Sequence, residues 1–484
     1  MSESNIDQVL TEGSITELRS SFLNRDLSIE EAVKWFLSRI DSLNQSGMAI
    51  NAVREVSTRA IDDAKNADRL LAKGRVCGPL HGIPMLLKDN ILTADGMSSS
   101  AGAAALANFK SQREATIVCR LRQAGAIIMG KTNLTEFADY VSDVMPSGFS
   151  GAGGVVRNPH DIDYGRGQGS SVGSAAAVSA CLAMFAIGTE TQNSIQTPAA
   201  YSSIVGYKPS VGMVSRAGIF PLVPSQDSPG PMTRSVEDAA LVASILVGAD
   251  CRDTLSLLTV RPTSFSNLRH SNLTGVRIGV PRSHIASRPE FENVMPLFEN
   301  CLSRLSRAGA TIIDPCELPS AEQLQEIRSC VFRTEFKAAL NAFLEDNDAP
   351  CSIGSLAELI AWNEDHPDSI PYGQSLLIAA EATRGLDDPG YRADRDKDIF
   401  LSRNQGIDAA LAIHDADILI APMGAAAKCT GKAGAPVASI PVGIDSIGVP
   451  FGITVFSAVG NDASLLAIAV EIDRLIGHRL IPNI

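Results

Sequence analysis

The sequence predicts an α/β protein in which helices flank a large β-sheet. Between residues 84 and 129, a short apolar strand, a helix and a second buried strand alternate, which is typical of helices packed on a sheet. From residue 418 the chain returns to short apolar strands, which have no partners of their own and need a sheet elsewhere. The 484 residues are enough for one large α/β unit or about three domains.

The N-terminal region is predicted to be helical. Ser14 and Ser28 each begin a Ser-x-x-Glu capping box, which marks the start of a helix. After Ser28, apolar residues recur at helical spacing, and these are Val33, Phe36, Leu37 and Ile40. The segment 51–73 also has an amphipathic pattern that ends at a glycine, so it predicts a further helix.

Regular elements can be assigned to the next section from apolar runs and periodicity. The run 85–87 predicts a strand that leads directly into Lys88, and 126–129 predicts a second buried strand. Helices are predicted at 114–123, 237–247 and 464–476, and a helix of small residues at 171–187.

Charge density divides the chain into four sections. We expect an N-terminal helical region at 1–75, a core at 76–260, a helical insertion at 261–415 that covers the substrate pocket, and strands with a helix at 416–484 that complete the core. The insertion has a higher density of charged residues than the section before it or the section after it. A core built from both ends of the chain fits this pattern better than two separate domains.

The composition argues against several classes of protein. With 41 basic and 54 acidic residues, the net charge of −13 disfavours a nucleic-acid or anionic-membrane surface. The nine cysteines lack a Cys-x-x-Cys pair, and the first residues lack a secretory signal, so we expect reduced thiols, no metal site and a cytoplasmic location. The uncharged stretch 167–189 is rich in Gly, Ser and Ala, which favours a buried helix over a membrane span.

Residues 167–198 hold an unusual density of glycine and serine. Successive backbone N–H groups in such turns can bind an anion, and a neighbouring hydroxyl can act as a nucleophile. The pentapeptide 169–173 matches the Gly-x-Ser-x-Gly elbow of α/β-hydrolases, centred on Ser171. Because the residues before it make a poor strand, a serine-rich helix start is the better interpretation of that pentapeptide.

The same region resembles the amidase signature family, hydrolases with a Ser-cisSer-Lys triad, and is most similar to bacterial peptide amidases. The resemblance covers residues 50–247 closely and the C-terminal section more loosely. It implies a large mixed, mostly parallel β-sheet covered by α-helices. The motifs that carry it are Leu86-Leu87-Lys88-Asp89-Asn90, Gly169-Ser170-Ser171, Gly188-Thr189-Glu190 leading to Ser194-Ile195, Val205–Ser210, Ser225–Arg234 and Ser439–Gly443.

The resemblance implies a role for each matching residue. Ser194 is the nucleophile, Lys88 is the base, and Ser170 bridges them after a cis peptide bond. The backbone N–H groups of Thr191, Gln192, Asn193 and Ser194 form the oxyanion hole. A free lysine has a pKa of about 10.4 and cannot accept a proton at neutral pH. The apolar run before Lys88 therefore matters, because burial lowers the pKa of an amine.

The sequence departs from the family pattern around the nucleophile. Gln192 and Asn193 stand where the family usually has glycines, and Gln196 replaces an arginine. Asparagine tolerates a left-handed backbone at a modest cost, whereas Gln192 either points into the pocket and selects substrates, lies aside, or damages the hole. We assign substrate contacts to Gln192, Ser147 and Gly169.

Together these features predict an amide hydrolase that acts on carbon–nitrogen bonds other than peptide bonds. A small-molecule amide is the expected partner, without a metal or organic cofactor, and a homo-oligomer is left open. Two alternatives remain at this stage: a serine esterase that uses Ser171, and a catalytically weakened amidase-like subunit that binds or assembles.

Overall fold

The computed structural model describes residues 3–160, 169–259, 265, 272–286, 289–347 and 353–484. In these residues the strands are β1 (Val53–Val56), β2 (Pro84–Lys88), β3 (Ile127–Thr132), β4 (Phe149–Ser150), β5 (Gly154–Val155), β6 (Phe185–Glu190), β7 (Val205–Lys208), β8 (Ser228–Thr233), β9 (Arg277–Gly279), β10 (Thr311–Ile313), β11 (Ile418–Pro422), β12 (Val437–Ile444) and β13 (Pro450–Phe456).

The helices alternate with these strands in the first half of the chain and dominate between β10 and β11. They are α1 (Glu3–Thr11), α2 (Ile15–Asn24), α3 (Ile29–Leu43), α4 (Ala60–Ala72), α5 (Thr116–Gln123), α6 (Val172–Ser179), α7 (Gln196–Tyr201), α8 (Val236–Leu246), α9 (Thr254–Leu258), α10 (Arg282–Ala286), α11 (Met295–Arg307), α12 (Ala321–Glu326), α13 (Val331–Asp346), α14 (Leu356–Asp365), α15 (Ser375–Glu381), α16 (Pro389–Ile399), α17 (Asp408–His414), α18 (Ala427–Ala433) and α19 (Asp462–Ile476).

Eleven of the described strands form one mixed sheet in the order β1-β3-β2-β6-β8-β7-β12-β13-β11-β9-β10. The mixed sheet and its helical cover confirm the predicted fold class. The expectation that the sheet is mostly parallel is wrong, because six of its strand pairs are antiparallel and four are parallel. Five of the antiparallel pairs lie together from β6 to β11, and the sixth, β1 with β3, lies at one edge of the sheet. Strands β12 and β13 are joined by a short connection that only antiparallel neighbours can use.

Both predicted capping boxes are present at the N-terminus. The Ser14 and Ser28 hydroxyls each accept the N–H three residues on, and the glutamates there reach back to the serine N–H. The predicted helix at 51–73 is wrong in its first part, because 53–56 form the edge strand β1 and α4 begins only at Ala60. Strand β1 pairs with β3. This long-range pairing places residues 53–56 in the sheet, although their local periodicity predicted a helix.

The uncharged stretch is also divided differently from the prediction. Helix α6 has eight residues, and a turn at Cys181, whose φ is 56°, leads into strand β6. Both elements are completely buried, so neither shows an apolar face that would distinguish a helix from a strand. Among the described helices, none combines the length and apolarity that a membrane crossing needs.

The predicted insertion packs over the core through its own apolar cluster. Leu340, Leu356 and Leu377, from α13, α14 and α15, pack with residues of the loops that follow β2 and β3 and of the segment 220–223. The section 261–415 is not wholly helical, since β9 and β10 extend the main sheet at one edge. The fourfold division of the chain stays a prediction.

Candidate active site

Lys88 is the last residue of β2, a strand buried between β3 and β6 in the sheet. Its side chain has no exposed surface, whereas a lysine side chain in water is charged and fully hydrated. The Nζ atom lies 2.6 Å from the Ser170 Oγ, 3.0 Å from the Ser171 Oγ and 2.9 Å from the Thr189 Oγ1. Three hydroxyls therefore surround one buried amine.

Burial lowers the pKa of Lys88 to about 7, against the opposing effect of the nearby carboxylates of Asp227, Glu190 and Asp139. A neutral amine is then available near neutral pH, and its lone pair can accept a proton from a hydroxyl. Ser170 is the closest of the three hydroxyls. The burial of Lys88 at the end of an apolar strand is thus the physical cause of its lowered pKa, which leaves part of the amine neutral near pH 7.

Ser171 has a different hydrogen-bonding situation from Ser170. Its hydroxyl donates to the carbonyl of Thr189 at 3.0 Å and accepts the N–H of the same residue at 3.2 Å, in addition to Lys88. The Ser171 hydroxyl therefore uses its proton in the hydrogen bond to the Thr189 carbonyl and does not donate it to Lys88. No histidine in the described residues forms a hydrogen bond with Ser171, which disfavours the alternative of a Ser171 esterase.

The segment that carries both serines is clamped at Gly169. The Gly169 carbonyl accepts from the Thr135 and Ser147 hydroxyls, each at 3.0 Å, and the Ser147 oxygen accepts the Gly169 N–H at 3.1 Å. Ser147 and Gly169, predicted as substrate contacts, are thus bonded to each other. Residues 161–168 lie outside the described residues.

The predicted cis peptide bond before Ser170 is wrong. Among the described residues the cis bond is Asp314–Pro315, and the Gly169–Ser170 bond is trans. Gly169 has φ 138°, a conformation that side chains other than glycine rarely adopt. This turn brings the Ser170 hydroxyl to Lys88 without a cis bond.

Ser194 lies in the turn between β6 and α7, next to the serine segment. Its carbonyl accepts the N–H of Ser171 at 3.1 Å, and the residue is 3% exposed. In the described part of the chain, no hydrogen bond joins the hydroxyls of Ser194 and Ser170. The structure therefore brings the backbones of the three predicted catalytic residues together and links the side chains of Lys88 and Ser170 only.

The four predicted oxyanion-hole N–H groups are available. The N–H groups of residues 191–194 donate to no acceptor within the described residues. The carboxylate of Glu190 holds the turn, since its Oε2 accepts the N–H groups of Ile195 and Gln196 at 2.7 and 2.8 Å. Its Oε1 accepts from the Gln196 side chain at 2.7 Å, and that side chain also donates to the Gln192 carbonyl at 2.9 Å.

The two residues that replace glycines fit this turn without a left-handed backbone. Neither Gln192 nor Asn193 has a positive φ, so the expected penalty at Asn193 does not arise. Gln192 packs against Gly431 of α18 and donates to the Gln226 side chain at 3.3 Å. Room for the Gln192 side chain is provided by a glycine that is far away in the sequence.

Sequence reasoning assigned no role to Thr189 and Glu190, whereas it favoured a structural role for Asp227 over a substrate contact. Thr189 contacts Lys88, and Glu190 anchors the turn. The Asp227 carboxylate accepts from the Thr191 hydroxyl and from the N–H groups of Leu222 and Val223. The sequence does contain an indication that Glu190 matters, because it is the sole charged residue of 167–198.

Two cavities bear on where a ligand can bind. One of about 20 Å³ lies beside the site, between Asn90, Ala138, Thr189 and Thr191, and holds little more than one water molecule. A far larger one of about 1070 Å³ is lined by Arg234, Glu237 and other residues, and it shares none of its lining with the site. The larger of the two cavities is therefore not the one beside the candidate active site.

Residues 31–432 match the family model described as Amidase, and the chain belongs to this family. A probable amidase of Arabidopsis thaliana is 33% identical over 96% of this chain and 90% of its own length. The peptide amidase of Stenotrophomonas maltophilia has a similar structure, with a TM-score of 0.92, 37% identity, and coverage of 98% of both chains. An amidase family protein of Bacillus anthracis has a TM-score of 0.91 and 30% identity, over 100% of this chain and 95% of its own.

One component of the glutamyl-tRNA(Gln) amidotransferase of Symbiobacterium thermophilum is 40% identical over 64% of this chain and 61% of its own length. The family and the structural similarity identify the protein as an amide hydrolase that acts on carbon–nitrogen bonds outside peptide linkages. In the described residues, no cluster of three or more His, Cys, Asp or Glu side chains is arranged to hold a metal ion.

The contact between Gln192 and Gly431 leads to a first prediction. A Cβ atom at residue 431 would lie 2.5 Å from the Gln192 Cγ, 2.7 Å from its Cα and 2.8 Å from the Thr191 carbonyl oxygen. Because backbone atoms are involved, Gly431→Ala must displace the turn. We expect amide hydrolysis to fall about 10-fold or more, since a single misplaced oxyanion donor costs about 10²–10³.

The control for this prediction is Gly390→Ala in α16, where the new Cβ would meet only the flexible Asp388 side chain. Both variants gain about 1 kcal/mol of helix propensity, but Gly431→Ala alone must also displace backbone atoms, so the two are compared after correction for the folded fraction. Rates per folded molecule should fall for Gly431→Ala alone. Full activity in Gly431→Ala would show that the position of the 191–194 turn is unimportant.

Proposed function

We propose that Ser194 attacks the substrate amide and forms an acyl-enzyme, with Lys88 as the base acting through Ser170. The observation that carries this proposal is the buried Lys88 amine 2.6 Å from the Ser170 hydroxyl, beside a turn whose four N–H groups have no acceptor among the described residues. A buried amine with a lowered pKa and a hydroxyl next to N–H donors are what acyl transfer requires.

In the first step, the bond between the Ser194 Oγ and the carbonyl carbon forms as the Ser194 proton passes to Ser170 and the Ser170 proton passes to Lys88. The N–H groups of Thr191, Gln192, Asn193 and Ser194 stabilise the negative oxygen. The carbon–nitrogen bond then breaks, and the leaving nitrogen takes the proton back by the same route. Water repeats the sequence on the ester and releases the acid.

The relay needs one movement that the free structure has not made, a rotation of the Ser194 hydroxyl towards Ser170. Catalytic hydrogen bonds are often long or unformed until substrate binds. We propose that Gln192, which flanks the turn, contacts the substrate, whereas Ser147 and Gly169 act by holding Ser170.

We propose a small carboxylic amide as the substrate, and a peptide C-terminal amide as the leading example because of the similarity to the peptide amidase of Stenotrophomonas maltophilia. A related carbamate is the other chemistry that this site could process. We also propose a cytoplasmic location, which the free thiols of the eight described cysteines support. Cys351 lies outside the described residues.

A fluorophosphonate probe tests the proposed nucleophile. Such a probe phosphonylates an activated serine, and peptide mapping identifies which one. We expect wild-type protein and Ser171→Ala to be labelled at Ser194, and Ser194→Ala to remain unlabelled. Labelling at Ser171 would instead support the esterase.

The unformed bond between Ser170 and Ser194 also favours a second candidate, a weakened amidase-like subunit that binds a partner. The similarity to components of amidotransferases agrees with that alternative. The same experiment separates the two functions, since a binding subunit would take up no label at residue 194 while still being folded.

A further inference from the structure

The segment 225–227 is hydrogen-bonded to the turn that carries the predicted oxyanion-hole N–H groups. The Oδ1 atom of Asp227 accepts from the Thr191 hydroxyl at 2.5 Å, and the Oε1 atom of Gln226 accepts from the Gln192 side chain at 3.3 Å. Thr191 and Gln192 supply two of the four predicted oxyanion donors. The position of the segment therefore bears on the position of these donors.

The carboxylate of Asp227 also shapes the loop that contains it. Its Oδ2 atom accepts the N–H groups of Leu222 and Val223 at 2.8 and 2.9 Å. The Asp227 N–H donates in turn to the Val223 carbonyl at 2.8 Å. Because one carboxylate bonds both to the loop 222–227 and to Thr191, a shift of the loop also shifts the start of the turn.

On its other side, the segment is bonded to the helical insertion. Glu335 of α13 is only 4% exposed. Its Oε2 atom accepts the Ser225 N–H at 2.8 Å, and its Oε1 atom accepts from the Ser225 hydroxyl at 2.6 Å. From α16, the Tyr391 hydroxyl donates to the same Oε1 atom at 3.0 Å, and Arg395 donates to the Ser225 carbonyl at 3.3 Å. Two helices of the insertion thus meet the segment at Glu335.

Close packing does not fix this part of the loop against α13. A cavity of about 490 Å³ lies between them, lined by Ala339 and Phe343 of the helix and by Pro224 and Asp227 of the loop, among others. The hydrogen bonds of Glu335 therefore set the separation between the helix and the segment. Hydrogen bonds to a buried carboxylate are strong and costly to lose, so this connection is firm.

We propose that Glu335 is a positioning residue for catalysis, through which the insertion holds the oxyanion-hole N–H groups in place. This inference rests on the proposed function, because it assumes that the turn 191–194 stabilises the negative oxygen. The connection runs from Glu335 to Ser225, along the chain to Asp227, and from there to Thr191. Oxyanion donors act by being preorganised, so a distant anchor that fixes them affects the rate.

The test measures fluorophosphonate labelling of Ser194 in Glu335→Leu, with the maximal rate and the half-saturating probe concentration determined separately. Leucine is of similar size but accepts none of the three hydrogen bonds. We expect the maximal rate per folded molecule to fall about 10-fold or more, since one lost oxyanion donor costs about 10²–10³. The half-saturating concentration should stay within about 2-fold, because the lost contact acts in the transition state alone.

Two milder variants separate the hydrogen bonds from the general stability of the region. Glu335→Gln should restore most of the rate, because its amide oxygen can accept the Ser225 N–H while both hydroxyls turn to accept from its N–H₂ group. Ser225→Ala removes one of the three bonds and should lower the maximal rate about 3-fold. If Glu335→Leu does not fold, a wild-type rate in Ser225→Ala overturns the inference.

A double-mutant cycle shows whether the effect passes along the proposed route. Thr191→Val removes the hydroxyl that contacts Asp227 and keeps the backbone N–H. We expect Glu335→Leu to slow labelling less in the Thr191→Val background than in the wild-type background, by about 3-fold or more. A merely structural role for Glu335 would give the same fold-change in both backgrounds.

Glu381→Gln is the matched control, since Glu381 of α15 pairs with Lys337 of the same helix α13 at 2.8 Å. It should leave the maximal rate unchanged. A wild-type rate in Glu335→Leu, an equal loss in Glu381→Gln, or equal fold-changes in the two backgrounds would overturn the inference and leave Ser194 as the nucleophile. Failure of the probe to label wild-type Ser194 would overturn the proposed function and this inference with it.

Discussion

Replacing Lys88 by methionine is expected to slow acylation of Ser194 by about 10²–10⁴-fold, the range in which general bases contribute. Methionine keeps the apolar stem but removes the amine that contacts Ser170, Ser171 and Thr189. The Ser194 proton then has no acceptor beyond Ser170. The measurement is the rate of fluorophosphonate labelling together with kcat/KM on an amide.

The dependence of activity on pH tests the same role of Lys88, because only its neutral amine can accept a proton. Burial lowers the pKa of Lys88 to about 7, so the amine is protonated and inactive below that pH and free above it. Wild-type activity should therefore rise with pH through about 7. Lys88→Met should lose this rising limb together with its rate.

Lys131→Met is the matched control for Lys88→Met. Lys131 is also a completely buried lysine, with a pKa lowered by burial to about 8, and it lies on β3 opposite Leu87. Its Nζ donates to the Ser99 hydroxyl and the Ile91 carbonyl, away from the serines. We expect this variant to be less stable while its folded fraction keeps the rising limb. A flat wild-type profile, or a limb that survives in Lys88→Met, would contradict the role of Lys88.

The parts of the fold that could be predicted from the sequence are those with a local cause. The helix after Ser28 was predictable because a capping box and an apolar stripe agree, and Val33 and Phe36 are buried as the stripe requires. The apolar run before Lys88 predicted only that its stem begins in apolar surroundings, and the residues alone favoured a solvated lysine at a strand end; its role as the base came from the family resemblance. The helix prediction needs no contacts from distant parts of the chain, whereas the hydroxyls around Lys88 come from Ser170, Ser171 and Thr189.

The rest depends on long-range contacts that no local pattern contains. Gln192 fits its turn because Gly431 has no side chain, and the two are far apart in the sequence. The segment 171–187 was predicted as one helix because Ser, Gly and Ala have no periodic contrast, whereas the structure divides it at Cys181. In both cases the packing partner decides the local structure.

Glu190→Gln is expected to be the second most damaging change near the site. All three of its hydrogen bonds are accepted by the carboxylate, two from backbone N–H groups and one from the Gln196 amide. A glutamine must turn its own N–H₂ towards one of these donors. We expect labelling of Ser194 to fall about 10²-fold, as for loss of an oxyanion donor, and the free energy of unfolding to fall by about 1–3 kcal/mol.

The charge of Glu190 has a buried counterpart in Lys208. Lys208 is completely buried, and its Nζ has no hydrogen-bond partner in the described residues. Gly206, two residues earlier on β7, packs against Ile195, so Lys208 faces the same turn by strand alternation. Burial raises the pKa of Glu190, and Lys208 is the first of the groups that hold it down.

This pairing makes the effects of the two substitutions non-additive. Glu190→Gln or Lys208→Met alone leaves one buried charge uncompensated, whereas the double variant removes both. We expect the double variant to lose less free energy of unfolding than the two single losses combined, by more than the ~0.5 kcal/mol within which independent sites add. Chemical denaturation of the four proteins measures this coupling.

Glu136→Gln is the control that separates charge from shape. Glu136 is also a buried carboxyl, and it accepts the N–H of Gly151, but burial raises its pKa to about 8, which favours its neutral form at pH 7. Combined with Lys208→Met it should give additive losses. Additive losses for Glu190→Gln as well would mean that Lys208 does not compensate its charge, and that the turn behind Ser194 is held by hydrogen bonds alone.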